Sequence, residues 1–347
     1  MRYRSSTRDL VPGAMQRLRA TLVPIVLFLR FEYLVFALLL PVLGAASILP
    51  SLTGRYVLWL LASAFCFHVF ISVQNDIVDL KLDRTDPRRR DHPLVNGMVS
   101  VKFASVLVLL QIPLLVALSL WRGLDDLLLV SIVLVLGMMC IYNLWGKRNP
   151  FPIGTDLVQG LGFGGIALYG AASAGTPNAS SAMVFWGVVL WMMQTNLLGG
   201  LRDLRTDYQF AAVTTPISLG SQYTRQGYFL STPTKVYAYF LLATQFAVPL
   251  LFLWRDRGLM DPSDLAALAL LLLLFLVAPA LSLVKFFAIA SSQFRVEFDH
   301  ALIVMYLSAL PMLVVLAQNG NPWVMVAAAV VLLAAVRTYL RVLKVLP

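Results

Sequence analysis

The sequence predicts an all-α protein, a polytopic membrane bundle of nine to ten transmembrane helices. Hydrophobic residues make up 59% of its 347 residues and charged residues only 13%, whereas a soluble domain carries about 25% charged residues. Ten apolar runs are each long enough to cross a bilayer, which takes about 20 residues. Because acidic clusters follow the second and the sixth run, we expect two four-helix halves around a central cavity.

The predicted spans cover residues 22–49, 56–74, 101–120, 126–144, 156–174, 182–200, 235–254, 264–287, 299–318 and 322–342. The first run is the longest, so we expect it to be tilted or broken near Pro41. Only the sequence QNGN separates the last two runs, which predicts a tight hairpin of two antiparallel helices.

The basic residues predict how the bundle is oriented. With the N-terminus in the cytoplasm and ten alternating spans, 22 of the 27 Lys and Arg residues lie on the inner side, as the positive-inside rule requires. The net charge of +10 therefore reflects topology and contact with anionic headgroups, and we expect no nucleic-acid partner. Residues 1–21 would form a basic cytoplasmic segment, either lying on the inner leaflet or disordered. We expect a multi-pass protein of the cell membrane with its polar loops in the cytoplasm.

Acidic residues gather where two of the apolar runs end. Asp76, Asp79 and Asp83 follow the second run, and offsets of three and seven residues place them on one helix face. Asp203 and Asp207 follow the sixth run at a four-residue offset, so they also share a face. Like charges at such short range repel unless something positive lies between them.

These acidic groups and the basic residues near them suit a diphosphate. Carboxylate oxygens suit Mg²⁺, which keeps some of its waters and commonly bridges to substrate phosphates. Arginine and lysine bind the same phosphates directly, and the nearby basic residues are Lys81, Arg84, Arg88, Lys147, Arg202 and Arg205. The apolar bundle beneath them matches a hydrocarbon tail. The two zones together predict a substrate with a diphosphate head and a long apolar tail.

The residues around these clusters resemble a known family. Asn75, Asp76, Asp79 and Asp83 form NDxxDxxxD, which is similar to the first motif of the UbiA superfamily of intramembrane prenyltransferases. The second family motif, DxxxDxxxGxxTLPxxLG, resembles a stretch whose residues in register are Asp203, Asp207, Ala211, Thr214, Thr215, Pro216, Leu219 and Gly220. The family's Tyr–Lys segment looks like Tyr142 and Lys147.

The chain departs from the family pattern at a few places. Ala211 stands where the family usually has Gly, and His92 stands where an Arg often precedes a PLPSG-like turn, which here reads PLVNG at 93–97. The family usually has nine helices. Ten apolar runs therefore imply either an extra helix in the C-terminal hairpin or one run that does not span.

The resemblance implies a single UbiA-like transmembrane prenyltransferase domain over residues 22–347 that uses two Mg²⁺ ions. The first ion would be held by Asn75, Asp76 and Asp79, with Asp83 acting through water or by holding a basic residue. The second would be held by Asp203 and Asp207. The catalytic aspartates, which through these ions draw charge onto the leaving diphosphate, would be Asp76, Asp79, Asp203 and Asp207. The diphosphate itself would be held by Tyr142, Lys147, Arg202 and Arg205.

The implied reaction is transfer of a prenyl group from an allylic prenyl diphosphate to a small hydrophobic acceptor, aromatic or a quinone precursor, within the membrane lipid. A terpene cyclase of the same fold, in which the substrate's own double bonds attack the allylic cation, stays open. An ion-coupled transporter is disfavoured, because it predicts carboxylates near the bilayer midplane. An aspartate could take the proton that the acceptor loses, and the sequence does not identify it.

Other polar or small residues inside the runs have structural interpretations. Arg30 and Glu32 would line the mouth of the cavity, since ionisable groups within a span usually face the interior. The glycine-rich run at 160–170 would pack helices together rather than bind phosphate. Hydrogen bonds between helices are expected from Asn143, Gln194 and Asn196.

Overall fold

A computed structural model describes most of the chain. The described residues are 22–86, 89–146, 149–225, 227–256, 261–292, 298–317 and 320–342. Three elements of the sequence predictions lie outside them, namely the N-terminal segment 1–21, Arg88 and Lys147.

Helices account for nearly all of the described structure. In chain order the elements are α1 (Leu22–Phe28), α2 (Phe31–Ala46), α3 (Gly54–Asp83), α4 (Val101–Arg122), α5 (Asp126–Trp145), α6 (Pro152–Ala174), α7 (Ala179–Gln209), α8 (Thr215–Ser218), β1 (Gln222–Thr224), β2 (Gly227–Phe229), α9 (Thr232–Asp256), α10 (Pro262–Ser292), α11 (Phe298–Ala317) and α12 (Pro322–Val342). Within the described ranges, nine helices are long and apolar enough to span a membrane, and the bent pair α1–α2 makes a tenth if it is counted as one span. The predicted all-α membrane bundle is confirmed, whereas its division into two four-helix halves stays a prediction.

Several spans begin at a side chain that caps the first turn. Thr53, Ser100 and Asp125 accept hydrogen bonds from backbone amides at the starts of α3, α4 and α5. Asn178 and Ser181 form a reciprocal capping box at the start of α7. These side chains satisfy amides that have no acceptor within the helix. Polar residues in the short loops therefore fix where these spans begin.

The first span is broken, but not at Pro41. α1 and α2 meet at an angle of 55°, and Arg30 at the junction has a φ of 46°, in the left-handed region. The Nε2 atom of His68 on α3 donates to the carbonyl oxygen of Leu29 over 2.7 Å. Pro41 lies inside α2, which continues to Ala46. Of the two predicted alternatives, a tilt or a break near Pro41, the break is wrong, because contacts from α3 stabilise a bend at Arg30, about three helical turns earlier.

α6 packs against α2, α5 and α7. Its glycine-rich stretch at 160–170 lets neighbouring backbones come close, as small residues do between membrane helices. A Cβ atom added to Gly170 would lie 1.9 Å from the carbonyl oxygen of Pro41 on α2. A Cβ atom added to Gly44 of α2 would lie 1.8 Å from the carbonyl oxygen of Ala167 on α6. The interpretation of this run as a helix-packing surface is confirmed.

The segment after α7 folds into short elements. Ala211 has a φ of 52°, and the amide of Ala212 donates to the carbonyl oxygen of Asp207 over 2.9 Å. The strands β1 and β2 then pair antiparallel, with Tyr223 opposite Tyr228. The all-α prediction did not include this hairpin, because strands of three residues show no periodicity that a sequence can reveal.

The last two helices form the predicted hairpin and pack against each other. The start of α12 is also tied to the loop between α2 and α3. Asn321 donates from Nδ2 to the carbonyl oxygen of Leu49 over 2.9 Å, and Trp323 donates from Nε1 to the carbonyl oxygen of Leu52 over 3.3 Å. The final helix is therefore an integral part of the bundle.

We predict that Ala211→Gly stabilises the protein. Alanine in the left-handed region is disfavoured by roughly 1–2 kcal/mol, and the greater freedom of glycine in the unfolded chain offsets part of the gain. The free energy of unfolding should rise by about 0.5 kcal/mol, measured by thermal unfolding in detergent. Ala212→Gly is the matched control and should lower stability, since Ala212 does not have a positive φ. A loss of stability in Ala211→Gly would contradict the left-handed backbone.

We also predict that Gly44→Ala disrupts the contact between α2 and α6. The added methyl group would overlap the carbonyl oxygen of Ala167, and overpacking of this kind lowers stability by about 1–3 kcal/mol. Gly137 in the middle of α5 is the control, because a Cβ atom there meets nothing within 4 Å. Gly137→Ala should gain up to about 1 kcal/mol from helix propensity. Thermal unfolding of both variants in detergent tests this, and equal stability of the two would contradict the close helix contact.

Candidate active site

The two acidic motifs lie at the same end of the bundle, which we call the motif end. The hydroxyl group of Tyr142, near the end of α5, lies within electrostatic range of Asp79 from the first motif and of Asp207 from the second. Arg30 lies within the same range. Asn143 beside Tyr142 contacts Asn75 of the first motif, and Asp156, at the start of the next helix, contacts Thr215 after the second motif. Both motifs therefore lie close to the connection between α5 and α6, at one end of the bundle.

Asp76 of the first motif is buried among basic side chains and is only 1% exposed. Arg30 donates from Nε to Oδ1 over 3.1 Å, and its Nη2 atom also contacts Oδ1. Arg89 donates from Nη2 to the same oxygen over 2.7 Å, and Nε2 of His92 lies 3.3 Å from Oδ2. Because a buried carboxylate is unfavourable without such partners, Asp76 fixes the positions of these side chains.

The neighbours of Asp76 in the first motif are held by the same network. Arg89 bridges to Asp83, with its Nη2 atom 3.0 Å from Oδ2. Asn75 accepts from Nη2 of Arg30 over 3.2 Å and donates to Oδ1 of Asn143 over 3.3 Å. Asn75 shares a helix face with Asp79 and Asp83, because the three lie at successive four-residue offsets. This stripe offers hard oxygen ligands, whereas both oxygens of Asp76 contact basic groups.

The second motif is paired differently. Arg202 forms a two-pronged ion pair with its neighbour Asp203, from Nη2 to Oδ2 over 2.6 Å and from Nε to Oδ1 over 3.0 Å. Arg205 stacks over the ring of Tyr223 in β1, at 5.5 Å from the ring centroid. The unpredicted hairpin of β1 and β2 therefore positions Arg205, one of the predicted basic residues.

The beginning of α2 connects the two motifs. Arg30 contacts Asp76 on α3, and the side chain of Tyr33 lies near Arg202 on α7. The break between α1 and α2 lies at Arg30 itself. The bend in the first span is therefore part of the site.

The predicted phosphate-binding residues do not all turn inward. Tyr142 lies near both motifs and Arg202 is only partly exposed, whereas Lys81, Arg84 and Arg205 are exposed. As noted above, Arg88 and Lys147 lie outside the described residues, and so does the side chain of Glu32.

The sequence did not predict that Arg89 and His92 contact Asp76. It predicted only that Arg30 lies at the mouth of the cavity. Arg30 carries the clearest signal, because a charged residue within an apolar run usually serves the interior of a bundle. Asn143, by contrast, links α5 to α3 as expected, donating from Nδ2 to Oε1 of Gln74 over 2.8 Å. Gln194 likewise links α7 to α9, accepting from Nε2 of Gln245 over 2.9 Å.

The acidic residues fit Mg²⁺ bound together with a diphosphate. Among the described residues, no three His, Cys, Asp or Glu side chains lie close enough to hold a metal ion alone. Mg²⁺ does not need such a group, because one or two carboxylates, waters and substrate phosphates complete its shell. The first motif offers the stripe of Asn75, Asp79 and Asp83, and the second offers Asp203 and Asp207. Each motif can therefore supply the protein ligands of one Mg²⁺ ion.

An apolar cleft lies farther into the bundle, between α2, α7, α9, α11 and α12. The cleft is partly open, and its lining is mostly apolar. Phe36, Leu43, Trp191, Met312 and Val331 are among the residues that line it. Trp191 lies about 18 Å before Asp203 along α7, at a rise of 1.5 Å per residue. A molecule with its polar head at the motif end could extend an apolar tail into this cleft.

A family model described as the UbiA prenyltransferase family matches residues 33–278. The chain belongs to this family. The family is one of prenyltransferases, and the apolar helices of this chain are those of a multi-pass membrane protein. The matched residues run from the first turn of α2 into α10 and include both acidic motifs.

One curated relative carries a more specific name. The polyprenyl transferase macG of Penicillium terrestre is 25% identical over 174 residues. The alignment covers 49% of this chain and 53% of that protein, so the chain spans about half the length of this relative.

Solved structures share the fold at low identity. Digeranylgeranylglyceryl phosphate synthase is 16% identical with a TM-score of 0.62, over 89% of this chain and 99% of that one. A UbiA homologue from Archaeoglobus fulgidus bound to GPP and Mg²⁺ is 15% identical with a TM-score of 0.59, over 85% and 99%. A UbiA homologue from Aeropyrum pernix is 22% identical with a TM-score of 0.58, over 82% and 98%. At these identities, the likenesses show that the fold is shared and nothing further.

We predict that Asp76 and Asp79 differ in their effects on stability. Asp76→Asn leaves Arg30 and Arg89 without their shared buried counter-charge, which should lower the free energy of unfolding by about 3 kcal/mol. Asp79 is more exposed, so Asp79→Asn should change it by less than about 1 kcal/mol. Thermal unfolding of both variants in detergent checks this difference. Equal stability of the two variants would show that Asp76 does not anchor the basic side chains.

Proposed function

We propose that this enzyme transfers a prenyl group from an allylic prenyl diphosphate to a small aromatic or quinone-precursor acceptor, in a Mg²⁺-dependent reaction within the membrane. The observation that carries the proposal is that Asn75 of the first motif contacts Asn143 at the end of α5, while Thr215 after the second motif contacts Asp156 at the start of α6. Two acidic motifs about 125 residues apart in sequence thus lie at one end of an apolar bundle. This arrangement suits a substrate that is charged at one end and apolar along the rest of its length.

The acidic residues of both motifs would hold two Mg²⁺ ions. We assign the first ion to Asn75, Asp79 and Asp83, and the second to Asp203 and Asp207. When bound, the ions would supply Lewis-acid stabilisation of the negative charge on the leaving diphosphate. The ion-bound homologue from Archaeoglobus fulgidus supports the use of Mg²⁺. We assign Asp76, a predicted metal ligand, to the orientation of Arg30 and Arg89, because it is only 1% exposed and three basic side chains surround it.

The basic side chains would bind the diphosphate and stabilise its departure. Arg30 and Arg89 approach from the first motif and Arg202 from the second. Because their carboxylate partners hold them in position before substrate arrives, little reorganisation is needed as charge develops on the leaving group. Tyr142 lies near Arg30 and can donate its hydroxyl hydrogen to a phosphate oxygen.

The apolar cleft would take the hydrocarbon tail and exclude water from the allylic cation. Its wall residues Phe36, Leu43 and Trp191 come from the same helices, α2 and α7, that reach the motif end. An allylic cation formed in such an environment reacts with the bound acceptor rather than with solvent.

The distribution of basic residues supports a cytoplasmic motif end. Arg84, Arg89, Arg90 and Lys102 lie in or beside the loop that follows the first motif, and Arg122 lies at the opposite end of the same bundle. An excess of Lys and Arg marks cytoplasmic loops. We therefore infer that both substrates meet at the inner face of the cell membrane.

The purified protein should release diphosphate from geranyl diphosphate when Mg²⁺ and a hydroxylated aromatic acceptor are present, and EDTA should abolish this release. Asp79→Ala and Asp203→Ala should each lower the rate by roughly 10²–10³-fold, because each removes support for the departing charge. Measurement of diphosphate release, with chromatography of the prenylated product, tests both statements.

Asp126→Ala is the matched control for these variants. Asp126 is an exposed aspartate in the first turn of α5, at the end of the bundle away from the motifs, so this variant should retain wild-type activity. Near-normal turnover by folded Asp79→Ala would contradict the assigned site. A cyclised hydrocarbon formed without any acceptor would contradict the transferase reaction and favour a cyclase.

A further inference from the structure

A buried carboxylate that neither motif contains lies beside the motif end. Asp156 stands in the first turns of α6, within a predicted span, and is only 9% exposed. The diphosphate site described above makes no use of it. Ionisable residues within membrane spans are unfavourable unless they serve the interior of a bundle, and they often mark functional sites.

Asp156 lies where several elements meet. Thr215 of α8 donates from Oγ1 to Oδ2 of Asp156 over 2.5 Å. The side-chain amide of Asn196 on α7 is adjacent to the carboxylate. Tyr237 on α9 and Tyr142 on α5 lie within range of its charge. The carboxylate is therefore surrounded by α5, α6, α7 and α9 and by the turn that follows the second motif.

This polar cluster lies below the acidic residues of the second motif, toward the interior of the bundle. Asn196 precedes Asp203 on α7 by two helical turns, which places both on nearly the same face, about 10 Å apart along the axis. Thr214 is held near the same part of α7, because a Cβ atom on Gly200 would lie 3.8 Å from Cβ of Thr214. A group in this pocket would therefore lie next to the first carbon of a prenyl chain whose diphosphate is bound at the motif end.

Three buried polar atoms near Asp156 lack a hydrogen-bond partner among the described residues. They are Oε1 of Gln159, Oγ1 of Thr214 and the hydroxyl of Tyr237. Gln159 lies one turn after Asp156 on the same face of α6. Buried polar atoms are nearly always paired, so a set of orphaned ones needs a partner that the protein does not supply. The set includes donors and acceptors, which matches a ligand that carries both.

We propose that Asp156 is the base of the transfer reaction and that the pocket around it binds the acceptor, a hydroxylated aromatic compound with a second polar substituent. This inference rests on the proposed function. The acceptor's hydroxyl group would donate to the free edge of the Asp156 carboxylate, while Tyr237, Thr214 and Gln159 contact its other polar groups. Thr215 fixes the orientation of the carboxylate.

The chemical step balances with the groups present. The bond between the first prenyl carbon and the diphosphate oxygen breaks, and its electron pair leaves with the diphosphate. A new bond forms from that carbon to a ring carbon or to the hydroxyl oxygen of the acceptor. The hydroxyl proton passes to Asp156. After attack by a ring carbon, the resulting ketone tautomer regains its aromatic form, so that one proton in total is released with the diphosphate.

The test compares Asp156→Asn, Asp156→Glu and Thr215→Val with the wild-type protein. The probes are geranyl diphosphate, Mg²⁺ and a series of substituted phenols and naphthols graded by the acidity of the hydroxyl group. Asp156→Asn should lower kcat by about 10²–10⁴-fold, the usual contribution of a general base, and Asp156→Glu should recover part of the loss. The deficit of Asp156→Asn should shrink as the acceptor becomes more acidic, because such acceptors need less help from a base.

Two controls separate a base from a structural residue. Thr215→Val removes only the hydrogen bond that orients the carboxylate, so its loss should stay below about tenfold and should not vary with acceptor acidity. The Kd of geranyl diphosphate, measured from the fluorescence of Trp191 and the other tryptophans, should be unchanged in all three variants. If Asp156→Asn cannot be purified folded, Asp156→Ser gives the same comparison.

Several outcomes would overturn the inference. The first is a wild-type kcat in Asp156→Asn. The second is a loss of kcat in Asp156→Asn that, like that of Thr215→Val, does not change with the acidity of the acceptor. The third is loss of geranyl diphosphate binding in Asp156→Asn. Each of them leaves the proposed transferase function intact, because the wild-type protein still forms prenylated product. Failure of the wild-type protein to prenylate any acceptor in the series would instead refute the proposed function.

Discussion

A buried negative charge must be neutralised, and the motif end of this protein is arranged around that requirement. Asp76 lies almost fully inside the bundle and contacts Arg30, Arg89 and His92. Arg30 reaches it because the first span breaks at that residue, and Arg89 reaches it from the loop that follows α3. One carboxylate therefore joins the bend of the first span, the loop after α3 and two guanidinium groups.

The predictable part of the fold follows from local composition. Apolar runs of the right length identify the spans, and capping residues such as Ser100 and Asn178 mark where they begin. The two acidic clusters stand out because charge is rare in such a chain, and their periodicity assigns each to one face of a helix. Composition thus reveals the architecture and the approximate position of the site.

What the sequence does not reveal depends on contacts between distant segments. The roles of Asp76 and Asp79 cannot be told apart from the sequence, because both are aspartates on the same helix face. Only the positions of Arg30 and Arg89 show that Asp76 is the one that pairs with basic side chains. The bend at Arg30 was expected at Pro41, because proline is a local signal and a hydrogen bond from His68 to Leu29 is not. The sequence likewise did not identify Asp156 as a candidate site residue. It precedes a glycine-rich stretch that packs helices, and only the contacts with Thr215 and Asn196 show that it lies in a polar cluster.

The helix α12 lines the apolar cleft but carries neither acidic motif. α12 is held to the loop between α2 and α3 by Asn321 and Trp323, and its residues Ala327 and Val331 form one wall of the apolar cleft. No residue of either acidic motif belongs to this helix. If the cleft takes the hydrocarbon tail as proposed, substitutions in α12 change the space for that tail and leave both acidic motifs unchanged. In the proposed reaction, the length of the transferred chain can thus vary independently of its reactivity.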